Sequence, residues 1–264
     1  IEDSVEDYII YADEITYLRN EDKIVTEGKT KAYIKSKYEI ETKNVSFLRI
    51  KKILSSKNKT KIKDQNSQVY FVDEFNYSIN DGLFKGTNIL IITNYQKPKS
   101  DKFFFTNALI NLDKKTFVAK DTKINLHKNI FDRSENDPRI RGVSSKGEEN
   151  ITLIKKGIFT SCKKNDDCPP WSITAEEIKH DKEKKQLSYK NAFLQIYDYP
   201  VFYLPKFFHP DPTVERQSGL LKPEINNSKI LGSSITIPYY YNISDKEDFT
   251  LRPTLFDNKF IVLQ

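Results

Sequence analysis

The chain has 264 residues, 38% apolar and 12% aromatic, enough to build a core in one large domain or two modest ones, which excludes disorder throughout. No run of about 18 apolar residues exists, and no basic leader precedes an apolar core, which excludes a transmembrane helix and an intact signal peptide but not a β-barrel. The formal charge of +6 comes from 43 basic and 37 acidic residues interleaved along the chain, a pattern that fits a solvated surface and also a phosphorylated lipid, an anionic leaflet or nucleic acid. Methionine is absent, so the chain is expected to be a processed product or a cut from something longer.

Glycine (8) and proline (11) are scarce, and Val, Ile, Thr, Tyr and Phe recur in short alternating runs, so the expectation is strand after strand with polar turns. The best helical candidate, Thr174 to Lys185, lacks an apolar stripe at helical spacing beyond Ile178. From the N-terminus, Ala12-Asp13-Glu14-Ile15-Thr16-Tyr17 is echoed by Thr42-Lys43-Asn44-Val45-Ser46-Phe47 and by Val72-Asp73-Glu74-Phe75-Asn76-Tyr77, a period of 30 residues. Looser copies follow at Thr106 to Asn111 and at Ala175 to His180. The first two copies share Leu-Arg after the aromatic (Leu18-Arg19, Leu48-Arg49) and Lys-Thr-Lys further on (Lys29 to Lys31, Lys59 to Lys61).

The fourth position of each copy is apolar (Ile15, Val45, Phe75, Leu109, Ile178), and in the first three an aromatic follows two residues later (Tyr17, Phe47, Tyr77). Residues two apart in a strand face one side, so stacked copies line up apolar columns, as in a solenoid or jelly-roll. Such columns are either ordinary core or the wall of a ligand path, and the open strand edges of the stack invite another sheet to continue it. Phe131 to Asn150 is polar and reads as a long exposed loop. Cys162 and Cys168, spaced C-x5-C without a second pair or a nearby histidine, suit a disulfide in an oxidising compartment better than zinc.

From Tyr199 to Pro212, four prolines and five aromatics fall within fourteen residues, which reads as a rigid extended connector or a loop packed on the domain. Beyond it, Ser234 to Ile243 alternates cleanly, a polar turn follows over Ser244 to Asp248, and a second run places Phe249, Leu251, Pro253 and Leu255 on one face. A third run begins at Phe260. Apolar-out, polar-in hairpins of this kind suit a membrane barrel, although a soluble antiparallel sheet shows the same alternation.

No constellation for catalysis stands out: there is no G-x-S-x-G, no phosphate-cradling glycine loop and no H-E-x-x-H, and His127, His180 and His209 are far apart. The carboxylate pairs Asp166-Asp167 and Glu176-Glu177 read as surface charge. No enzyme activity, metal or cofactor is expected; the alternatives kept open are a solenoid enzyme or binding module acting on polysaccharide, and a basic nucleic-acid binder.

Several segments together closely resemble the LPS-assembly protein LptD family, also called OstA or Imp. They are Pro200-Val201-Phe202-Tyr203-Leu204-Pro205, His209-Pro210-Asp211-Pro212-Thr213-Val214, Arg216-Gln217-Ser218-Gly219, and Gly232-Ser233-Ser234 leading to Ile237-Pro238-Tyr239-Tyr240. Asn136-Asp137-Pro138-Arg139 and Cys168-Pro169-Pro170-Trp171-Ser172-Ile173 fit as well, so the resemblance spans nearly the whole chain and is strongest from Cys168 to Phe256. It implies an all-β protein: an OstA-like periplasmic β-jelly-roll over residues 1–198, a connector over 199–231, and the first strands of a truncated outer-membrane β-barrel over 232–264. It further implies lipopolysaccharide transport, with Ile15, Tyr17, Val45, Phe47, Phe75, Tyr77, Leu109 and Ile178 walling the lipid path. Pro238 and Pro253 would loosen strand pairing at a lateral gate of the barrel, and Cys162 and Cys168 are disulfide candidates, with each other or with barrel cysteines beyond Gln264. The implied partners are lipopolysaccharide, a periplasmic bridge protein of OstA-like fold docking on the N-terminal strand edge, and a lipoprotein plug in the barrel. The implied location is the outer membrane, with the N-terminal domain in the periplasm.

Overall fold

Antiparallel strands dominate the computed structural model, which describes residues 2–3, 8–34, 37–97, 99–127, 137–162, 170–210, 218–221, 223–230, 232–244, 246–257 and 260–264. Among these residues the one helical turn is Arg19–Glu21, and no helix is long and apolar enough to cross a membrane, which says nothing of a barrel. The expected all-β fold is what forms.

The first group of strands is β1 (Glu2–Asp3), β2 (Tyr8–Leu18), β3 (Lys23–Ile34), β4 (Tyr38–Lys43), β5 (Val45–Leu48), β6 (Ile53–Ser56), β7 (Thr60–Asp64), β8 (Val69–Val72), β9 (Glu74–Ser78) and β10 (Leu83–Ile92). The stack continues with β11 (Lys102–Asn111), β12 (Thr116–Asn125), β13 (Arg139–Glu148), β14 (Ile151–Thr160), β15 (Trp171–Asp181), β16 (Gln186–Ile196) and β17 (Tyr199–Pro210). Neighbouring strands pair antiparallel throughout, and in the first turns a bend divides a strand into two halves, β4 with β5, β6 with β7 and β8 with β9, that pair separately with their neighbours. The bend splits the ladder into two arms: β3 pairs with β4 through one half and with β5 through the other, and β10 likewise meets β8 and β9. A repeat of 30 residues is therefore one strand up, one strand down and two turns.

The bends have a local cause. Gly28, Asn44, Asn88, Asp121, Lys156 and Asn191 all take positive φ, between 48° and 77°. Backbone that leaves the ladder there is satisfied by side chains of neighbouring bends. Lys29 N donates to Asp13 Oδ2 (2.7 Å), Gly28 N to Asn44 Oδ1 (3.0 Å) and Asn58 Nδ2 to the Lys43 carbonyl (3.1 Å). Inside the bend hydroxyls do the same work: Val45 N donates to Thr26 Oγ1 at 2.8 Å, and Thr122 and Ser145 pair at 2.6 Å. Gly28 has a second reason to be glycine, since a Cβ there would lie 2.4 Å from Asp13 Oδ2.

Two sequence expectations change, and the absence of a helix at Thr174 holds. Of the loop expected over 131–150, residues 131–136 lie outside the described residues and Arg139–Glu148 form β13, paired with β12 and β14 along its length. Its inward positions include Gly142, Ser145 and Gly147, so it carries little apolar alternation; the ring of Phe117 occupies the space where a Gly147 Cβ would sit, 2.0 Å from Cε1. The weak helical candidate at Thr174 is the middle of β15. The proline-rich segment, up to Pro210, is strand β17, paired with β16. Its prolines sit where a missing donor costs least: Pro200 beside the register shift, Pro205 at the bend and Pro210 at the strand end.

A second, smaller set of strands follows: β18 (Gly219–Leu220), β19 (Glu224–Ser228), β20 (Gly232–Thr236), β21 (Tyr239–Asn242), β22 (Asp248–Leu251), β23 (Pro253–Phe256) and β24 (Ile261–Leu263). Here one rung is broken across the sheet. β20 pairs with β23 and β21 with β22, and between them Ile237, Pro238 and Arg252 leave the strand pattern, with Pro223 two residues past Leu221 on the neighbouring strand. Proline removes a ladder donor each time. What spans the break is carbonyl acceptance: Leu221 N donates to Pro238 O (2.8 Å) and Ile237 N to Pro253 O (3.2 Å).

Candidate functional site

Strand register turns the repeat into continuous columns along the inside of the stack. One runs Ile15, Thr26, Val45, Ser56, Phe75, Gly86, Ala108, Ala119, Ser145, Ile154, Ile178, Tyr189, Phe207, each residue opposite the next. A second, two residues further along, runs Tyr17, Ile24, Phe47, Leu54, Tyr77, Phe84, Ile110, Phe117, Gly147, Thr152, His180, Leu187, His209. In the first column large apolar side chains on one strand alternate with small or hydroxyl side chains on the next through the first turns, which makes room for the uniformly large side chains of the second over the same turns.

These columns form two clusters, one from Tyr8 to Ala119 and one from Ile124 to Leu194, and Phe103 packs against both. Val45, Phe47, Phe75 and Tyr77 are buried in the first and Ile178 in the second, as the spacing predicts. Ile15 is half-buried against the first cluster. Tyr17 belongs to the second column by register but is 43% exposed, its hydroxyl donating to Asp22 Oδ1 at 2.5 Å under the Arg49 guanidinium. Leu109 is a correction. It is 46% exposed on the outer face, and the inward positions are Ala108 and Ile110, because the fourth repeat aligns one residue earlier than its sequence suggests.

Neither column carries an Asp, Glu, Lys or Arg, and the buried charged side chains Arg139 and Asp181 lie outside both. Burial, then the nearby Asp113 carboxylate, pushes the Tyr77 phenol up, and burial alone does so for Tyr189. The Tyr77 hydroxyl finds no hydrogen-bond partner among the described residues. At the far end of the second column, His209 Nδ1 faces the Pro210 carbonyl at 2.7 Å, so that nitrogen donates and Nε2 accepts from the Tyr189 hydroxyl, also at 2.7 Å. Phe159 and Phe207 pack around this pair, with Phe207 stacked on Tyr189 at 4.4 Å.

Half of the wall escapes sequence inspection. Ile24, Leu54, Phe84, Leu187 and Tyr189 lie on returning strands that carry no copy of the six-residue motif, and plain alternation is the one signal they offer. Pro238 is buried and Pro253 half-buried at the broken rung. Cys162 is a buried free thiol, its Sγ 3.6 Å from the Trp171 carbonyl, and Cys168 lies outside the described residues, as do Asp166 and Asp167.

Fold and interior together define an all-β protein made of bent strands stacked around an apolar core, followed by a short strand set with a proline break. No family model matches the chain. Among curated proteins it is 27% identical over 165 residues, 60% of this chain and 22% of the relative, to LPS-assembly protein LptD of Nitrosomonas eutropha. It is 36% identical to the proteins of that name from Legionella pneumophila, over 42% of this chain and 13% of the relative, and from Pseudoalteromonas translucida, over 45% and 16%. The chain is thus similar to LptD proteins over part of its own length, and it spans at most about a quarter of the length of these relatives.

Proposed function

We propose that this chain takes part in the transport of lipopolysaccharide and its insertion into the outer membrane. The bent-strand stack acts as a periplasmic jelly-roll that receives the lipid, holds its acyl chains along the two columns and passes them toward a lateral gate at Pro238 and Pro253. The observation that carries this reading is the continuity of the columns, which run from β2 to β17 with a mostly apolar lining, interspersed with Thr, Ser and His side chains, and without an Asp, Glu, Lys or Arg in either. Acyl chains gain about 0.8 kcal/mol for each CH2 withdrawn from water, so a lining of this kind suits them.

Three partners fit the same reading. Among the described residues β1 covers β2 at Tyr8 and Ile9, and a bridge protein of similar fold docks on this N-terminal strand edge and continues the sheet. The strands after Gly219 are the start of an outer-membrane barrel, within which a lipoprotein plug sits. Cys162 and Cys168 are candidates for a disulfide, with each other or with cysteines of the barrel. No covalent chemistry enters the scheme.

The test is a photo-crosslinking residue placed at Phe75, in the first column, or at Lys114, in the turn after β11, within the full-length protein in cells. Lipopolysaccharide adducts are expected at Phe75 and not at Lys114. Adducts at neither position, with transport intact, would make the columns plain core and remove the lipid path from this domain.

A further inference from the structure

The lysines of the shared Lys-Thr-Lys motif have no part in the interior, whereas its threonines, Thr30 and Thr60, point inward. Thr30 Oγ1 lies 2.7 Å from Thr26 Oγ1, and Thr60 Oγ1 lies 2.7 Å from Oγ1 of Thr42, which is itself 3.2 Å from Ser56 Oγ; Ser56 in turn donates to the Lys43 carbonyl at 2.8 Å. That buried hydroxyl network fixes the backbone of adjacent bends, and the flanking lysines are thereby held on the outer surface in a row. Lys29, Lys43, Lys59 and Lys61 line one groove of about 690 Å3, together with Glu41 and Asp73.

The charges in this groove do not cancel. Glu41 already serves Lys31 at 3.7 Å and Lys61 at 4.0 Å, and Asp73 Oδ2 accepts from Asn88 at 2.8 Å. Lys29, Lys43 and Lys59 have no ion pair among the described residues, although Lys29 and Lys43 are direct cross-strand partners. Like charges opposite one another on a sheet repel, and strands about 4.8 Å apart bring three ammonium groups within reach of one anion. Ammonium groups on flexible stems over a rigid floor suit a compact, multiply charged oxyanion better than a planar carboxylate, which favours arginine.

We infer that this groove binds a phosphate group, either free or carried on a phosphorylated sugar headgroup. The site is separate from the interior columns, so it stands or falls independently of crosslinking at Phe75. Its test compares the wild-type chain with Lys29→Gln/Lys59→Gln, and with Lys114→Gln/Lys115→Gln, which removes the same charge from an exposed turn outside the groove. Binding of inorganic pyrophosphate is measured by calorimetry, and binding of lipopolysaccharide micelles, before and after phosphatase treatment, by sedimentation. All three proteins are first matched by far-ultraviolet circular dichroism.

The expected result is at least a tenfold weaker affinity for the groove pair and less than a twofold change for the turn pair. If the loss appears with pyrophosphate the site takes free phosphate; if it appears only with lipopolysaccharide and vanishes after phosphatase treatment, it takes the headgroup. Equal losses in the two pairs, or no phosphate-dependent difference between the groove pair and wild type with either probe, would overturn the inference.

Discussion

Phe47 is fully buried at 0% exposure and its ring meets Tyr8 edge-on at 4.8 Å, whereas Leu109, of similar hydrophobicity, is turned to the outside. Phe47→Ala is therefore expected to cost about 3–5 kcal/mol in urea unfolding, and Leu109→Ala no more than about 0.5 kcal/mol. Tyr77 reverses the usual sign. Its unpartnered hydroxyl imposes a desolvation penalty of about 1–3 kcal/mol, so Tyr77→Phe is expected to raise the melting temperature while leaving the packing with Phe84 in place. A drop in melting temperature would mean that the hydroxyl has a partner in solution. Acid should weaken the fold through Glu39 and Asp181. The Lys31 ammonium holds the Glu39 carboxyl below its ordinary range, and the Lys184 backbone N–H, followed by Lys179, does so for Asp181. A carboxylate with a lowered folded pKa gives stability that is present above its unfolded value and lost as pH falls through the folded one. Denaturant midpoints should thus decline below about pH 4, and Glu39→Gln with Asp181→Asn should flatten that part of the curve.

At the scale of strands, the bend and the break are two uses of lost ladder bonds. Bends in the stack are closed by side chains, as Asn191 Nδ2 does to Glu176 Oε2 at 2.6 Å, so they are fixed corners. The rung at Pro238 and Pro253 is flanked by one side-chain pair, Thr236 Oγ1 with Thr254 Oγ1 at 2.7 Å, and is itself spanned by carbonyl acceptance on either side. Replacing Pro238 and Pro253 by threonine restores two N–H donors in strand-compatible residues. The expected outcome is slower amide exchange at Ile237 and Arg252, read by hydrogen exchange with mass spectrometry, and in cells slower lipid insertion if the break is a gate. Unchanged exchange would show that the seam is held open by something other than the missing donors. Sequence reading goes astray in this same class of element: β13 is hidden by the glycines that make room for Phe117 and Ile154, and β17 by prolines that fall at its bulge, bend and end.

Across the molecule, the composition and the 30-residue period by themselves determine that the chain is all-β, that its strands stack, and that Val45, Phe47, Phe75, Tyr77 and Ile178 point inward. They do so because side-chain alternation is a local property of a strand, and stacking repeats it. Which of Ala108, Leu109 and Ile110 face the core is not local: all three are apolar, and only pairing of Ala108 with Gly86 and Ala119 sets the phase. The same holds for the returning strands, whose Leu54, Phe84 and Leu187 enter the wall through register rather than through a motif. The lysine row needs both levels, since the sequence repeats Lys-Thr-Lys at a fixed spacing but only the bends bring Lys29, Lys43 and Lys59 into one groove. Local chemistry decided which residues alternate and where the backbone turns; the tertiary structure decided which faces meet, because register couples residues on different strands, such as Val45 with Ser56 and Ser56 with Phe75, through backbone hydrogen bonds that no single strand contains.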